Sequence, residues 1–332
     1  MLCRIAALLL ASCAPLMLGC SPSTANEMTS TIVLGSSRID VTFDSTDWQL
    51  SQQQLLAWIQ KAAEAVAAYY SRYPRPNVRI RVQSSGGHGV YGGQTWGREG
   101  GMIRIRVGRE TTEAELAHDW MMTHEMVHLA FPDMAEEHHW IEEGLATYVE
   151  PIGRIQAGQM TAESMWDDLV RDMPKGQPQQ GDRGMDNTHT WGRTYWGGAL
   201  FSFVADVEIR KKTNSRKGLQ DAMRAILAAG GDITQDWPIE RAFKVGDDGV
   251  GVSVLVPMYR EWKDKPMHVD LDSLWQQLGI ETTRQGVRFN DKAPLATVRK
   301  AITAVPVTKS ASTSTANPAI LGAIAGRRVG SS

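Results

Sequence analysis

The first third of the chain alternates polar and apolar residues in three short stretches, at residues 38–43, 77–82 and 102–107. A period of two predicts a β-strand at each stretch. Between the first two, residues 51–70 carry apolar side chains at helical spacing and are followed closely by prolines, which end a helix. The apolar positions of this segment are Leu55, Ile59, Ala62, Val66 and Tyr69. The pattern predicts a sheet with helices packed against it.

The second half of the chain reads as helical. Residues 172–190 are rich in Pro, Gly and Gln, which predicts a loop long enough to form a lid or a cleft wall. Helical segments are predicted near residues 194–211, 217–229 and 252–262. We expect this helical half to face the sheet half across a cleft.

A glycine-rich stretch at residues 86–93 lies between two predicted strands and is interpreted as a flexible turn or a rim loop. It lacks the Lys-Ser/Thr that follows a phosphate-binding loop. His88, within it, is interpreted as a surface residue.

The first residues predict export from the cytoplasm. Arg4 precedes an apolar run from Ile5 to Leu18, which is too short for a permanent membrane span and typical of a secretory signal. The run ends in Met17-Leu18-Gly19-Cys20, which resembles a bacterial lipobox and implies that Cys20 carries a lipid; plain signal cleavage is the alternative. With Ser21 after the cysteine, the resemblance implies a lipoprotein that faces the periplasm from the outer membrane.

Residues 1–19 are therefore predicted to be a signal peptide, and residues 20–30 the lipidated cysteine and a polar linker. The folded part is predicted at residues 31–150 and 151–300, and residues 301–332 are rich in Ser, Thr, Ala, Pro and Gly and are predicted to be disordered. All three cysteines, Cys3 and Cys13 as well as Cys20, lie in the leader region, so no disulfide is expected in the folded part. A net charge of −2 without a basic block argues against a nucleic-acid partner; the oligomeric state is left open.

The candidate chemistry begins with His124-Glu125-Met126-Val127-His128, a His-Glu-x-x-His pattern. Four helical residues turn the chain by about 400°, so both imidazoles can reach one metal ion while Glu125 lies beside it. This arrangement is typical of zinc peptidases, in which the glutamate is the general base. The alternative is a pair of core histidines with a solvated glutamate. Thr112 and Glu115 form a capping-box pattern interpreted as the start of the same helix, and Pro132 follows its end.

Catalytic zinc takes three protein ligands, so a third donor is needed downstream. His138 and His139 fail on spacing as the third histidine of a metzincin, a pattern that would require a glycine at Phe131 and a ligand at Met134. The second candidate segment is Trp140-Ile141-Glu142-Glu143-Gly144-Leu145-Ala146-Thr147-Tyr148. It resembles the Trp-x-x-Glu-Gly-x-x-x-Tyr helix of the gluzincin metallopeptidases, which implies that Glu143 is the third zinc ligand and Glu142 its non-ligating neighbour.

A third motif extends this resemblance. Residues Thr194 to Leu200 resemble the Tyr-x-Lys-Gly element of gluzincin aminopeptidases, although Gly197 stands where that family often has Lys. The match implies that Tyr195 donates a hydrogen bond to the reaction intermediate; its structural alternative is an ordinary aromatic under a helix start. His189 could share this role, but we interpret it as a turn residue. The continuation resembles the glycyl aminopeptidase branch, and the whole resemblance covers about residues 100–290.

The resemblance implies an α+β fold with a thermolysin-like catalytic domain, in which a small, mostly antiparallel sheet with helices precedes a helical C-terminal half. It also implies that the strand at residues 102–107 is the sheet edge along which a substrate backbone binds. Its Arg104 and Arg106 are interpreted as charges that protect an exposed edge from aggregation, with attraction of acidic groups as the alternative.

The predicted function is a zinc-dependent peptidase of the bacterial cell envelope that acts on peptides or proteins, with Glu125 as general base. Gluzincin aminopeptidases bind the substrate ammonium group through a Gly-x-Met-Glu-Asn strand, and residues 100–104 lack the Glu and Asn. Cleavage at chain ends and internal cleavage therefore both remain open. The alternative function is a non-catalytic envelope lipoprotein that binds a partner in the cleft and holds a structural zinc.

Overall fold

A computed structural model describes residues 27–305 of the 332-residue chain. The predicted signal peptide, Cys20 and residues 306–332 lie outside the described residues. The first strand begins at Met28, inside the range 20–30 predicted for the lipidated cysteine and linker. Among the described residues, no helix is both long and apolar enough to cross a membrane.

Five strands form one sheet in the order β1-β2-β3-β5-β4. They are β1 (Met28–Leu34), β2 (Ser37–Phe43), β3 (Asn77–Ser85), β4 (Val90–Trp96) and β5 (Met102–Gly108). The β1–β2 and β4–β5 pairs are antiparallel, whereas β2–β3 and β3–β5 are parallel. The prediction of a mostly antiparallel sheet is therefore wrong. A helical crossover after β2 returns the chain to the same end of the sheet, so β3 must run parallel to β2.

The strand expected at the edge of the sheet lies inside it. β5 pairs with β3 on one side and with β4 on the other, so β4 forms this edge. Residues 90–93, interpreted as part of a loop, are the first half of β4. Arg104 and Arg106 consequently do not protect a sheet edge; Arg104 donates a hydrogen bond to Gln94 (2.7 Å) and stacks over Trp96 (5.2 Å) on the exposed face.

Helix α1 (Gln52–Tyr70) covers the sheet, as its apolar face predicts, and begins at a capping box formed by Ser51 and Gln54. Helices α2 (Glu113–Ala117), α3 (Met121–His128) and α4 (His139–Gln156) follow β5. They pack against α1 and place the candidate metal motif between the sheet and the second half of the chain.

The capping box formed by Thr112 and Glu115 belongs to α2 and not to the helix with the candidate metal motif, because the helix is interrupted before Met121. Asp119 lies in this interruption and accepts hydrogen bonds from the amides of Met121 (3.0 Å) and Met122 (3.1 Å). The indole of Trp58 on α1 donates to the same carboxylate at 3.0 Å. Asp119 therefore satisfies the free amides at the start of α3 and ties it to α1.

The second half is helical, as predicted, with one small antiparallel hairpin. Its elements are α5 (Ala162–Asp172), α6 (Gly198–Thr213), α7 (Leu219–Ala228), α8 (Ile239–Val250), α9 (Leu255–Trp262), α10 (Leu271–Leu278), β6 (Ile280–Thr283), β7 (Gly286–Phe289) and α11 (Ala296–Ile302). The expected boundary at residues 150/151 falls inside α4, and one apolar core continues through both halves. α4 and α6 cross so closely that a Cβ on Gly144 would overlap the backbone of Gly198.

Candidate metal centre

His124 and His128 lie one turn apart on α3, and their imidazole rings meet edge to face with centroids 4.9 Å apart. The side chain of His124 is 3% exposed and that of His128 is 13% exposed. Two adjacent imidazoles with this little access to water need a common partner.

Glu143 on α4 is this partner. Its Oε2 lies 2.9 Å from His124 Nε2 and 3.8 Å from His128 Nε2. One ligand atom from each of the three residues can be chosen so that all lie within 4.8 Å of one another. The structure thus brings together the two histidines and the glutamate that the sequence motifs indicated.

The pKa values of His128 and Glu143 favour the protonation states that a cation needs. Burial lowers the pKa of His128 to about 4, so its imidazole is neutral at pH 7. Burial alone would raise the pKa of Glu143, but the hydrogen bond with His124 and the charges of His128 and His139 lower it to about 2. Metal ligands must be deprotonated. Two imidazole nitrogens and one carboxylate oxygen are a ligand set of catalytic zinc, with a fourth position left for water or substrate. These residues therefore fit zinc.

Glu125 is buried next to the three candidate ligands. Its carboxylate contacts Thr95 on strand β4. The Thr95 hydroxyl lies 2.7 Å from Glu125 Oε2 and donates to it. Burial raises the pKa of Glu125. A Cβ on Gly93 would lie 2.5 Å from Glu125 Oε1, so the backbone of β4 closely confines the carboxylate.

Sequence reasoning missed the roles of Thr95 and Gly93. Both residues lie about 30 positions before Glu125, in a glycine-containing strand with no clear alternation of apolar residues. The one local sign in the sequence was Thr95, two residues after the Gly92-Gly93 pair, and nothing in that pattern indicates a contact with Glu125.

Tyr195 faces the same centre from the other half of the chain. It lies in a π-helical turn, Gly192–Gly197, directly before α6. Its ring stacks on that of His124, with centroids 6.2 Å apart and an interplanar angle of 24°. Burial and the neighbouring carboxylate of Glu143 raise the pKa of Tyr195 to about 12, so the phenol keeps its proton at neutral pH. π-Helical turns inside α-helices occur frequently at functional sites.

The remaining candidate residues occupy different positions. Glu142 turns away from the centre and accepts a hydrogen bond from the amide of Met134 (3.2 Å). His139 lies 3.3 Å from Glu143 Oε1 through its Nε2, a contact that the sequence did not indicate. His138 instead approaches Asp186 in the long loop at 3.1 Å. His189 and His88 are exposed.

Comparison with known proteins gives a fold but no family. No family model matches the chain, and no curated protein matches it. Among solved structures, an aminopeptidase N family protein from Idiomarina loihiensis matches with a TM-score of 0.54 and 15% identity, over 77% of this chain and 49% of that one. An M1 zinc metallopeptidase from Deinococcus radiodurans matches with a TM-score of 0.47 and 11% identity, over 74% of this chain and 52% of that one.

The first match shows that the described part of the chain shares its mixed α/β fold with that aminopeptidase N family protein. The chain spans about half the length of both solved structures. At these identities the likeness concerns the fold alone.

Proposed function

We propose that this chain is a zinc-dependent peptidase in which His124, His128 and Glu143 hold the metal ion. One observation carries the proposal. The buried imidazole of His124, the largely buried imidazole of His128 and a carboxylate from a separate helix converge within 4.8 Å, beside a buried carboxylate, Glu125. The fold shared with an aminopeptidase N family protein supports the same function.

Bound zinc would polarise the scissile carbonyl and lower the pKa of water at the open position toward about 7. Glu125 then acts as the general base and accepts a proton from the attacking water. The hydroxyl of Thr95 lies 2.7 Å from Oε2 of Glu125 and helps to hold the carboxylate that takes this proton. The same carboxyl can return the proton to the leaving amine.

Tyr195 stabilises the negative charge that develops on the carbonyl oxygen. Its phenol is protonated at neutral pH, points into the centre beside Glu143, and is held by stacking on His124. One such donor contributes about 2.7–4 kcal/mol in other hydrolases.

A peptide substrate is favoured by the position of β4. This strand pairs with β5 on one side only, within the sheet that the structure describes, and its Gly93 and Thr95 contact the general base. An exposed strand edge can pair with an extended peptide backbone. We therefore propose that the substrate binds along β4, with its scissile bond close to Glu125.

The proposed location is the bacterial cell envelope, with Cys20 lipidated and the catalytic part in the periplasm. The support is the leader sequence alone, with its apolar run and the lipobox-like Met17-Leu18-Gly19-Cys20. Mass spectrometry of the N-terminal peptide tests it. A diacylated Cys20 supports the anchor, and an unmodified N-terminus at another residue would contradict it.

The proposed activity is tested with Glu125→Gln. This variant should bind zinc as the wild type does but lose peptide hydrolysis, and Glu113→Gln, which changes an exposed glutamate on α2, should keep it. A peptide library read by mass spectrometry supplies the substrates, and its products distinguish removal of terminal residues from internal cleavage. Stoichiometric zinc without any cleavage by the wild type would instead favour the alternative, a non-catalytic protein with a structural zinc.

A further inference from the structure

A cavity of about 730 Å³ opens directly beside the candidate metal centre. Its walls come from the start of α3, the C-terminal half of α4, α5, and the turn that carries Tyr195. On α4, Thr147, Glu150 and Arg154 line it at helical spacing from Glu143, so the cavity extends along the helix away from the centre. No residue of β4 lines it, within the part of the chain that the structure describes. The cavity and the proposed backbone-binding edge are therefore separate surfaces that adjoin the same centre, the cavity at His124 and Tyr195 and the edge at Glu125.

One wall of the cavity is a continuous row of aromatic rings that ends at the metal centre. Trp191 stacks on Tyr195 (centroids 5.9 Å apart), Tyr195 stacks on His124 (6.2 Å), and Trp120 meets His124 edge to face (5.4 Å). Trp191 is 62% exposed and Trp120 is 48% exposed. Exposed tryptophans grouped at a cavity indicate a binding surface, because exposing this much apolar area to water is unfavourable unless a ligand covers it.

The charges that line the cavity neutralise one another. Arg154 pairs with Glu150 at 2.9 Å, and Asp172 pairs with both Arg171 (2.8 Å) and Lys175 (2.7 Å). Arg171 also pairs with Asp168, so three basic and three acidic side chains compensate each other. Lys175 also lies over the ring of Trp196, at 5.9 Å from its centroid. The lining thus offers a ligand aromatic surface whose neighbouring acidic and basic side chains are already paired with one another.

We infer that this cavity binds a large, neutral aromatic side chain of the substrate, next to the scissile bond. A volume of 730 Å³ lies within the range of sites for bulky organic groups, and it far exceeds what an alanine side chain would fill. A phenyl or indole group in the cavity can stack on the rings of Trp191 and Trp120 or meet them edge to face. An aliphatic group lacks this additional aromatic interaction. The inference rests on the proposed function, since it assigns the substrate class of the same site.

Binding is measured by calorimetry with the zinc-loaded Glu125→Gln full-length protein, so that the test does not depend on cleavage. The probes are blocked hexapeptides of alanine in which one of the two residues that flank the central bond is Phe, Trp or Glu. Burial of a phenyl group predicts that the Phe and Trp peptides bind about 10-fold more tightly than the all-alanine peptide at one of these positions. The Glu peptide should show no such gain.

Trp191→Ala in the same background should reduce the aromatic preference to about 2-fold or less, because its ring supplies much of the exposed wall. Trp191→Phe should restore most of it, and Val33→Ala, a change on the exposed surface of β1, should leave it intact. Equal binding of the Phe and alanine peptides, or a preference unchanged by Trp191→Ala, would overturn the inference. Aromatic binding without cleavage by the wild type would leave the cavity assignment standing and refute the peptidase instead.

Discussion

Replacing Gly93 with alanine should displace the general base without unfolding the protein. A Cβ at this position would lie 2.5 Å from both Cδ and Oε1 of Glu125. Ordinary contacts between such atoms are about 3.5 Å, so the carboxylate must move by about 1 Å. The φ angle of Gly93 is not in the left-handed region, so the alanine itself causes no backbone strain there.

The expected loss follows from this displacement. A catalytic group misplaced by about 1 Å loses roughly 100-fold in rate, equivalent to about 2.7 kcal/mol. The free energy of unfolding should fall by about 1–3 kcal/mol, because the whole Glu125 side chain must move aside and loses the hydrogen bond from Thr95. Zinc content should not change, since the three atoms nearest to a Cβ on Gly93 all belong to Glu125, which is not one of the candidate ligands.

Gly92→Ala is the matched control. Neighbouring residues of a strand point to opposite faces, and the atom nearest to a Cβ on Gly92 would be at the end of the Arg106 side chain, at 3.2 Å. Both variants are compared with the wild type by kcat/KM on a library-derived peptide, zinc content and thermal unfolding. The reasoning is refuted if Gly93→Ala keeps kcat/KM within threefold of the wild type, or if Gly92→Ala loses as much as Gly93→Ala.

Three further changes test other parts of the account. Tyr195→Phe should lower kcat by about 10²–10³-fold at unchanged zinc content, and an unaffected kcat would remove the phenol from catalysis. Gly144→Ala should lower the free energy of unfolding by about 1–3 kcal/mol or more, because its Cβ would overlap the backbone of Gly198, whereas Gly86→Ala should be neutral in the same denaturant titrations. Burial raises the pKa of Glu150 from 4.5 to about 7, so the folded protein holds a proton that the unfolded chain releases. The contribution of Glu150 to the free energy of unfolding is therefore full below pH 4.5 and declines by about 1–3 kcal/mol as the pH rises to about 7. Glu150→Gln should reduce this decline, and equal dependence of the free energy of unfolding on pH in the wild type and the variant would contradict the assignment.

Much of the fold near the centre could be predicted because its signals are local. The strands predicted at residues 38–43, 77–82 and 102–107 are confirmed by β2, β3 and β5, and the helix at residues 51–70 is confirmed by α1. Each depends on a period or a cap within a few residues. The convergence of the three candidate ligands was likewise indicated by two short motifs.

The edge strand β4 could not be predicted, because its signal is tertiary. Gly92 and Gly93 have no side chains and so show no alternation of apolar and polar positions. What makes β4 a strand is pairing with β5, and what makes it part of the site is the close approach of Gly93 and Thr95 to Glu125. The prediction of a mostly antiparallel sheet was wrong for the same reason. Whether two strands pair in parallel depends on where the crossover helix between them packs, which is a tertiary feature.

The three-ligand zinc site is tested most directly by zinc K-edge X-ray absorption on the purified full-length protein, together with the metal content of the wild type and of four variants. We predict one zinc per chain bound by two imidazoles and oxygen donors, and a large loss of zinc in His124→Ala, His128→Ala and Glu143→Ala but not in Glu142→Ala. A chain that binds no stoichiometric zinc, or one that keeps it when Glu143 is replaced, would contradict the account.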